Sequence, residues 1–302
     1  MSKLTTEESI WEPGVAPIAV VMISLNEGHN LEAVLANLKG WAQEVFLIDS
    51  FSQDNTVDIA LRHGVQVVQR RFEGFGDQWN FALKKLPITA QWTMKIDPDE
   101  RLSQELKNNI VSSIESGSCD GIEFDRRWCL MSTPLPIHDR VLRVWRTGLC
   151  TFSEVSVNEH PMVNGKVKFV SGDMDHLDSP DLDHWIQKQN KYSSAEAIAS
   201  FSAPELSVKP SLLGNSLERR MWFKHHFYSV PARYKLLFLY FFVYRGLWRG
   251  GLVGYHCARL WTEVYRWKEL KILEIKITGH MPKQKLHGPG QPDPRVDTIT
   301  RK

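Results

Sequence analysis

Two carboxylates stand two residues apart directly after an apolar segment of the chain. Residues 92–96 (WTMKI) are followed by Asp97, Pro98, Asp99 and Glu100. This spacing lets Asp97 and Asp99 converge on one cation, and hard divalent ions such as Mg²⁺ or Mn²⁺ take oxygen ligands and also accept phosphate oxygens. A bound ion of this kind stabilises a departing diphosphate. An isolated D-x-D is more often a solvated turn before a helix, so other residues must support this interpretation.

Two more polar segments follow apolar runs. Ser24 to Glu27 come after residues 18–23, and Asp49 comes after residues 45–48. Short continuous apolar runs are typical of strands buried on both faces. Ligands of open parallel sheets bind beyond the carboxyl ends of the strands. We therefore expect the three polar segments to lie together at one edge of a sheet.

The segments between these runs have helical periodicity. Helices are predicted over residues 27–38, 54–62 and 78–85, and a further strand over 65–68. Strands that alternate with helices favour the α/β class with a parallel sheet. Residues 120–170 have a shorter, strand-like pattern, and another helix is predicted to begin near Leu182. We predict a catalytic domain over 1–215, a helical extension over 216–276 and a flexible tail over 277–302.

The three polar segments, taken in order, resemble glycosyltransferase family 2, whose members are inverting enzymes of the GT-A fold. The family carries an N-E turn, a D-x-x-S-x-D-x-T segment and a D-x-D, which match Asn26-Glu27, Asp49 to Thr56, and Asp97 to Asp99. The resemblance covers about residues 18–200. Within the family, the sequence is similar in particular to bacterial lipopolysaccharide core β-glucosyltransferases and related polysaccharide enzymes, through the segments Phe72–Asn80, Val157–His160 and Lys191-Tyr192.

The resemblance implies a Rossmann-like nucleotide-diphospho-sugar transferase that binds a UDP-sugar with Mg²⁺ or Mn²⁺. Asp99 is then the direct metal ligand, and Asp97 lies by the ribose or the metal. The other implied nucleotide-site residues are Ser24, Asn26, Glu27, Asp49, Asn80 and Arg143. The donor sugar is expected to be glucose, with N-acetylglucosamine and galactose open. The acceptor is expected to be a lipopolysaccharide core or another lipid-linked glycan.

An inverting transfer needs a general base beside the acceptor hydroxyl. Glu159, in the segment Ser156 to Pro161, lies where the resembled enzymes have their proposed base. Asp173, Asp175 and His176 form a second acidic patch, in which His176 could bind phosphate or metal.

Two arginines precede Trp145 in a segment with strand character. We expect Arg140 and Arg143 to point to one face of that strand, where guanidinium groups would suit a diphosphate or an anionic acceptor. A solvated strand face is the alternative interpretation.

Charge divides the chain sharply. Residues 1–208 hold 19 Lys and Arg against 29 Asp and Glu, a net charge of −10, whereas residues 209–302 hold 18 against 6, a net charge of +12. Residues 217–276 combine basic side chains with many aromatic ones, which is typical of a bilayer interface. Their longest apolar run, residues 236–244, is too short to span a bilayer. We expect these helices to lie on the inner-membrane surface, or to pack against the catalytic domain or a second subunit.

The remaining features narrow the class of protein. The four cysteines are widely spaced, which indicates neither a zinc cluster nor a disulfide framework, and the amino terminus has no apolar core typical of a secretory signal. We therefore predict a cytoplasmic, peripheral membrane protein. Nucleic-acid binding is not expected, because the basic region is heavily apolar. A nucleotidyltransferase acting on sugar phosphates and a polyprenyl-phosphate glycosyltransferase remain the alternative functions.

Overall fold

The protein is described by a computed structural model, which covers residues 10–153, 160–201, 211 and 227–280. The first half alternates strands and helices, as the apolar runs predict. Its elements in chain order are β1 (Ala16–Ser24), α1 (Gly28–Leu38), β2 (Ala42–Asp49), α2 (Thr56–Arg62), β3 (Gln66–Gln69), α3 (Phe75–Lys85) and β4 (Trp92–Lys95). The observed bounds lie within a few residues of the predicted ones.

These strands belong to one eight-stranded sheet, which also contains β5 (Glu100–Leu102), β6 (Gly121–Leu130), β7 (Thr133–Arg146) and β10 (Val167–His176). The strand order is β3-β2-β1-β4-β7-β6-β10-β5. The first four are parallel, and β7 runs antiparallel to β4. Both faces of β1 are buried: Val20 and Met22 belong to one hydrophobic core, while Ala19 and Val21 belong to another that contains Trp79. Burial on both faces explains why the apolar runs are continuous rather than alternating. The predicted α/β class is confirmed.

The second half of the sheet is built from β5 (Glu100–Leu102), α4 (Gln104–Glu115), β6 (Gly121–Leu130), β7 (Thr133–Arg146) and β10 (Val167–His176). A two-stranded sheet of β8 (Cys150–Phe152) and β9 (Pro161–Val163) lies apart from it. Helix α4 begins at Ser103, whose hydroxyl caps the helix by accepting a hydrogen bond from the Leu106 amide at 3.2 Å.

Strand β10 contains a bulge. Phe169 pairs with Glu123, but Asp173 pairs with Asp125, so three residues of β10 lie opposite one residue of β6. Gly172 has a φ of +107°, and a Cβ there would lie 2.7 Å from the backbone of α4. Only glycine suits both the conformation and the close approach.

The chain divides into two compact units. The first comprises the described residues up to 132 with 138–180, and the second comprises 133–137 with the described residues from 181 onward. The second unit holds α5 (Leu182–Ala199), α6 (Arg233–Leu239), a π-helical turn (Tyr240–Tyr244) and α7 (Gly251–Thr278).

The predicted domain boundary after residue 215 stays a prediction, since it lies outside the described residues. Within the second unit, α5 packs with α7. Trp185 meets Trp261 edge to face at 5.9 Å, and Lys268 forms an ion pair with Glu196 at 2.7 Å. Among the described residues, no single helix has the length and apolar character to cross a bilayer. Arg233–Tyr244 and Leu247–Thr278 meet that standard only as a pair, which is bent by 71°.

Candidate active site

Asp49 lies at the carboxyl end of β2 and is completely buried. Its carboxylate accepts hydrogen bonds from the Ser24 hydroxyl at 3.1 Å, the Ser52 amide at 2.9 Å and the Gln69 side chain at 3.0 Å. These donors come from β1, from the loop after β2 and from β3. They fix the Asp49 carboxylate at the sheet edge where the sequence predicts a nucleotide site.

The loops that follow β1 and β2 are joined by hydrogen bonds between side chains and backbone amides. Asn26 adopts the left-handed conformation at φ +55° and is exposed, so this loop needs outside support. The bonds run from the Asn26 amide to Ser52 Oγ (2.8 Å), from the Glu27 amide to Thr56 Oγ1 (2.9 Å) and from the Gly28 amide to Asp54 Oδ2 (3.0 Å). Sequence reasoning had no separate role for the serine, aspartate and threonine of this segment, which shape the loop that presents Asn26 and Glu27.

The turn after β4 is closed by reciprocal hydrogen bonds. The Glu100 amide donates to the Asp97 carbonyl at 2.9 Å, and the Asp97 amide donates to the Glu100 carboxylate at 2.8 Å. Arg101 adds a bond to the Pro98 carbonyl at 2.6 Å. The buried Glu100 side chain therefore holds Asp97 and Asp99 in a defined turn.

Arg143 reaches this turn from β7. Its guanidinium donates to Glu100 at 2.6 Å and to Asp97 at 3.1 Å, and the side chain is only 6% exposed. A cation placed between two carboxylates compensates their charge in a poorly solvated site. Arg143 thus supports the acidic turn, and its predicted contact with a diphosphate stays a prediction.

Arg140 does not share the face of Arg143, so the prediction that both point to one face was wrong. Arg140 lies 3.6 Å from Glu123 and 3.8 Å from Asp125, over the ring of Phe169. Side chains alternate between the two faces of a strand, so residues three apart point in opposite directions.

The charges around the turn shift the pKa values of Asp97 and Glu100 in opposite directions. Burial raises the pKa of Asp97, but the cations of Lys95 and Arg143 outweigh it and hold that pKa far below its usual value. Burial raises the pKa of Glu100 above its usual value despite Arg143. Asp97 is therefore a firmly ionised carboxylate at neutral pH.

Asp99 lies beside a histidine that the β10 bulge precedes. His176 pairs with Glu100 across β5 and β10, and its Nε2 lies 3.3 Å from Asp99 and 4.0 Å from Asp178. The potential ligand atoms of Asp99, His176 and Asp178 all lie within 4.8 Å of one another. The two carboxylate oxygens suit Mg²⁺ or Mn²⁺, and the imidazole nitrogen, a ligand typical of transition metals, favours Mn²⁺ of the two. The residues present therefore fit the ion that the resemblance implies.

The rest of the predicted patch has another partner. Asp173 and Asp175 form ion pairs with Arg127 at 2.9 and 2.7 Å. His176 is thus the member of the patch that faces Asp99. Burial lowers the pKa of His176, but its hydrogen bond to Asp99 outweighs this effect and raises that pKa. A metal ion would have to displace that proton.

Asn80, one of the predicted residues, lies apart from this geometry. The Asn80 side chain donates to the Phe152 carbonyl and accepts from the Phe152 amide, both at 2.9 Å, so α3 is joined to β8 through it. Its nucleotide contact stays a prediction. Glu159, the predicted base, lies outside the described residues.

Comparison with known proteins supports the same class of enzyme. Residues 19–151 match the model of glycosyl transferase family 2. These residues contain Ser24, Asp49, the turn at Asp97–Asp99 and Arg143. With the strand order, the match confirms the predicted GT-A fold.

Relatives with known sequences are named glycosyltransferases. An uncharacterised glycosyltransferase of Rickettsia prowazekii is 25% identical over 60% of this chain and 66% of that protein. The chain thus spans about two thirds of the length of this relative. The lipopolysaccharide core biosynthesis glycosyltransferase LpsC of Rhizobium meliloti is 26% identical over 79% of this chain and 85% of LpsC. A solved structure of S. aureus TarS, residues 1–349, aligns with 87% of this chain and 92% of its own at 16% identity and a TM-score of 0.39.

Proposed function

We propose, from the match of residues 19–151 to the model of glycosyl transferase family 2, that this chain is an inverting, metal-dependent glycosyltransferase that uses a UDP-sugar. The observation that carries the proposal is the cluster at the end of β4. There Asp97 is held by Arg143, and Asp99 faces His176. The cluster follows one parallel strand, and Asp49 follows another strand of the same sheet.

The proposed chemistry assigns each residue a task. Asp99 and His176, with Asp178 near them, would hold Mg²⁺ or Mn²⁺, which supplies positive charge to the departing diphosphate. Asp49 offers a buried carboxylate as acceptor for ribose or base donors. Asn26 and Glu27 are presented by the loop that Ser52, Asp54 and Thr56 support. Asp97, ionised and fixed by Arg143, orients the nucleotide or a water beside it.

The base is proposed to be Glu159, which would take the proton of the acceptor hydroxyl as that oxygen attacks the anomeric carbon. A single displacement inverts the configuration, so an α-linked donor would give a β-linked product. No enzyme nucleophile is required by this route.

We also propose a particular donor sugar and a particular class of acceptor. Glucose is the favoured sugar, and the likeness to LpsC supports an acceptor in a lipopolysaccharide core or another lipid-linked glycan. The proposed location, with such an acceptor, is the cytoplasmic face of the inner membrane.

The test is isothermal calorimetry of the full chain. UDP-glucose, UDP-N-acetylglucosamine, GDP-mannose and nucleoside triphosphates are titrated with Mn²⁺ present and then with a chelator. We expect one UDP-sugar to bind, and the chelator to abolish its binding. Tight triphosphate binding without preference for any diphosphosugar would instead favour the nucleotidyltransferase.

Variants connect this binding to the proposed residues. Asp99→Ala and His176→Ala should each weaken metal-dependent donor binding by tenfold or more, about 1.4 kcal/mol. Asp175→Asn is the matched control, because this carboxylate neighbours His176 in β10 but pairs with Arg127. Donor binding that is equally weak in all three variants would refute the assignment of the metal ligands.

A further inference from the structure

The helix that runs from Arg233 to Tyr244 carries apolar side chains on two opposite sides. On one side, Phe238 and Phe242 pack against Tyr255 of α7, and Phe241 stacks on Trp261. This packing accounts for the apolar character of the inner side only.

The opposite side is also apolar but is exposed. Its residues recur every four positions and are 42–80% exposed: Leu236, Leu239, Tyr240, Val243 and Tyr244. Trp248 and Leu252, also more than half exposed, follow in the next turns. We call these seven side chains the outer apolar face. A helix on a water-soluble surface normally presents polar residues there, so an exposed apolar face of this kind marks an interaction surface.

Charge indicates which partner suits the face. Between Arg233 and Leu252 the sequence has four basic residues and no acidic one. Beside the outer apolar face, a groove of about 530 Å³ between α6 and α7 is lined by the cations of Lys235, Arg259 and Arg266 and by one carboxylate, Glu263. Exposed tyrosine and tryptophan next to arginine and lysine fit the headgroup boundary of an anionic bilayer.

Length indicates how the helix would lie. Its twelve residues extend about 18 Å, whereas the hydrocarbon layer is about 30 Å thick. We infer that the outer apolar face inserts into the surface of an anionic phospholipid bilayer with the helix in the membrane plane, and that Lys235, Arg259 and Arg266 contact lipid phosphates. This inference rests on the proposed membrane location, and it does not depend on the identity of the donor.

The experiment is flotation of the full chain with vesicles of phosphatidylcholine alone or mixed with phosphatidylglycerol. The chain should bind the mixed vesicles, and more weakly at high salt. The double variant Leu239→Asp/Val243→Asp should lose about tenfold or more of that binding. Leu61→Asp/Met162→Asp is the matched control, because these two apolar residues are equally exposed, at 54% and 53%, but lie in the first unit.

The groove has its own variant. Arg259→Glu should reduce binding to phosphatidylglycerol vesicles while it leaves weak binding to phosphatidylcholine unchanged. Thermal unfolding of each variant checks that it is folded, and the substituted side chains are exposed, so the fold should survive.

Three outcomes would overturn the inference. The first is absence of vesicle binding by the parent chain, and the second is equal loss in the control double variant. The third is that light scattering shows a dimer, that Leu239→Asp/Val243→Asp dissociates this dimer, and that vesicle binding is absent or unchanged. That result would assign the outer apolar face to contact with a second copy of the chain. Donor binding measured by calorimetry without vesicles separates these failures from failure of the proposed transferase.

Discussion

Removal of the Arg143 guanidinium tests whether the acidic turn depends on a buried cation. In Arg143→Met the side chain keeps much of its volume, but Glu100 loses a hydrogen bond of 2.6 Å and Asp97 loses one of 3.1 Å. Glu100 is completely buried, so water cannot replace the lost cation. Breaking a buried ion pair on one side costs about 3–5 kcal/mol. Arg126, at 3.7 Å from Glu100, remains as a weaker partner.

We therefore expect the free energy of unfolding of Arg143→Met to fall by about 3 kcal/mol, at the lower end of that range. Arg143→Lys keeps the charge but loses the planar fork, so its loss should be smaller, about 1–2 kcal/mol. Urea unfolding at constant m-value measures both changes. Because the turn also carries Asp99, Mn²⁺ affinity should fall in Arg143→Met and recover in part in Arg143→Lys.

The companion variant is Glu100→Gln/Arg143→Met. Glutamine removes the buried charge that the first substitution leaves with only its weaker partner Arg126, so the double variant should be more stable than Arg143→Met alone. Simple additivity of the two losses, or a loss below about 1 kcal/mol in Arg143→Met, would refute the reasoning.

Three further predictions follow from the fold and the loops. Gly172→Ala should lower the free energy of unfolding, measured with urea, by about 2 kcal/mol or more. Gly117→Ala is the control, because Gly117 also has a positive φ but has open space around it, and it should lower that free energy clearly less. Equal decreases would contradict the explanation by close approach of the backbone. Burial raises the pKa of Asp54, but hydrogen bonds outweigh it and hold that pKa below its usual value. The ionised Asp54 side chain thus contributes fully to the stability of the fold above about pH 4, and this contribution is lost as the pH falls through the folded-state pKa. Asp54→Asn should therefore destabilise the protein at pH 7, and the difference from the parent should shrink towards pH 3, whereas a constant difference would rule this out. Glu159→Gln should keep calorimetric donor binding and lose turnover in a radiolabelled-sugar assay, and unchanged turnover would eliminate it as the base.

Local pattern was sufficient for the strands and helices around the site. Continuous apolar runs predict strands buried on both faces, and β1, β2 and β4 follow them closely. The D-x-D turn was also visible, because its residues are neighbours in the chain. The apolar runs also predicted that Asp49 and the N-E turn share a sheet edge with the D-x-D turn, and the likeness to a known family then supplied their expected roles in nucleotide binding.

Contacts between distant residues were less accessible. His176 stands 77 positions after Asp99, and the bulge and the β5 pairing that bring them together leave little trace in the sequence. Glu100 was seen as one more acid after the D-x-D, and its burial beneath Arg143 depends on the strand order. The alternation of faces along β7, applied strictly, would have separated Arg140 from Arg143. The association of α5 with α7 depends on aromatic pairing between segments 76 residues apart, as in Trp185 and Trp261.

The bulge in β10 bears on where insertions and deletions in the chain can be tolerated. The part of β10 before the bulge takes its register from the start of β6, whereas the part after it is also paired with β5. The bulge residues between the two parts can therefore accommodate a change in chain length near the turn at Asn164 and Gly165 without shifting His176. An insertion or deletion at that turn should therefore leave the distance between His176 and Asp99 unchanged. The bulge thus lies between the turn at Asn164 and Gly165 and the strand segment that carries His176.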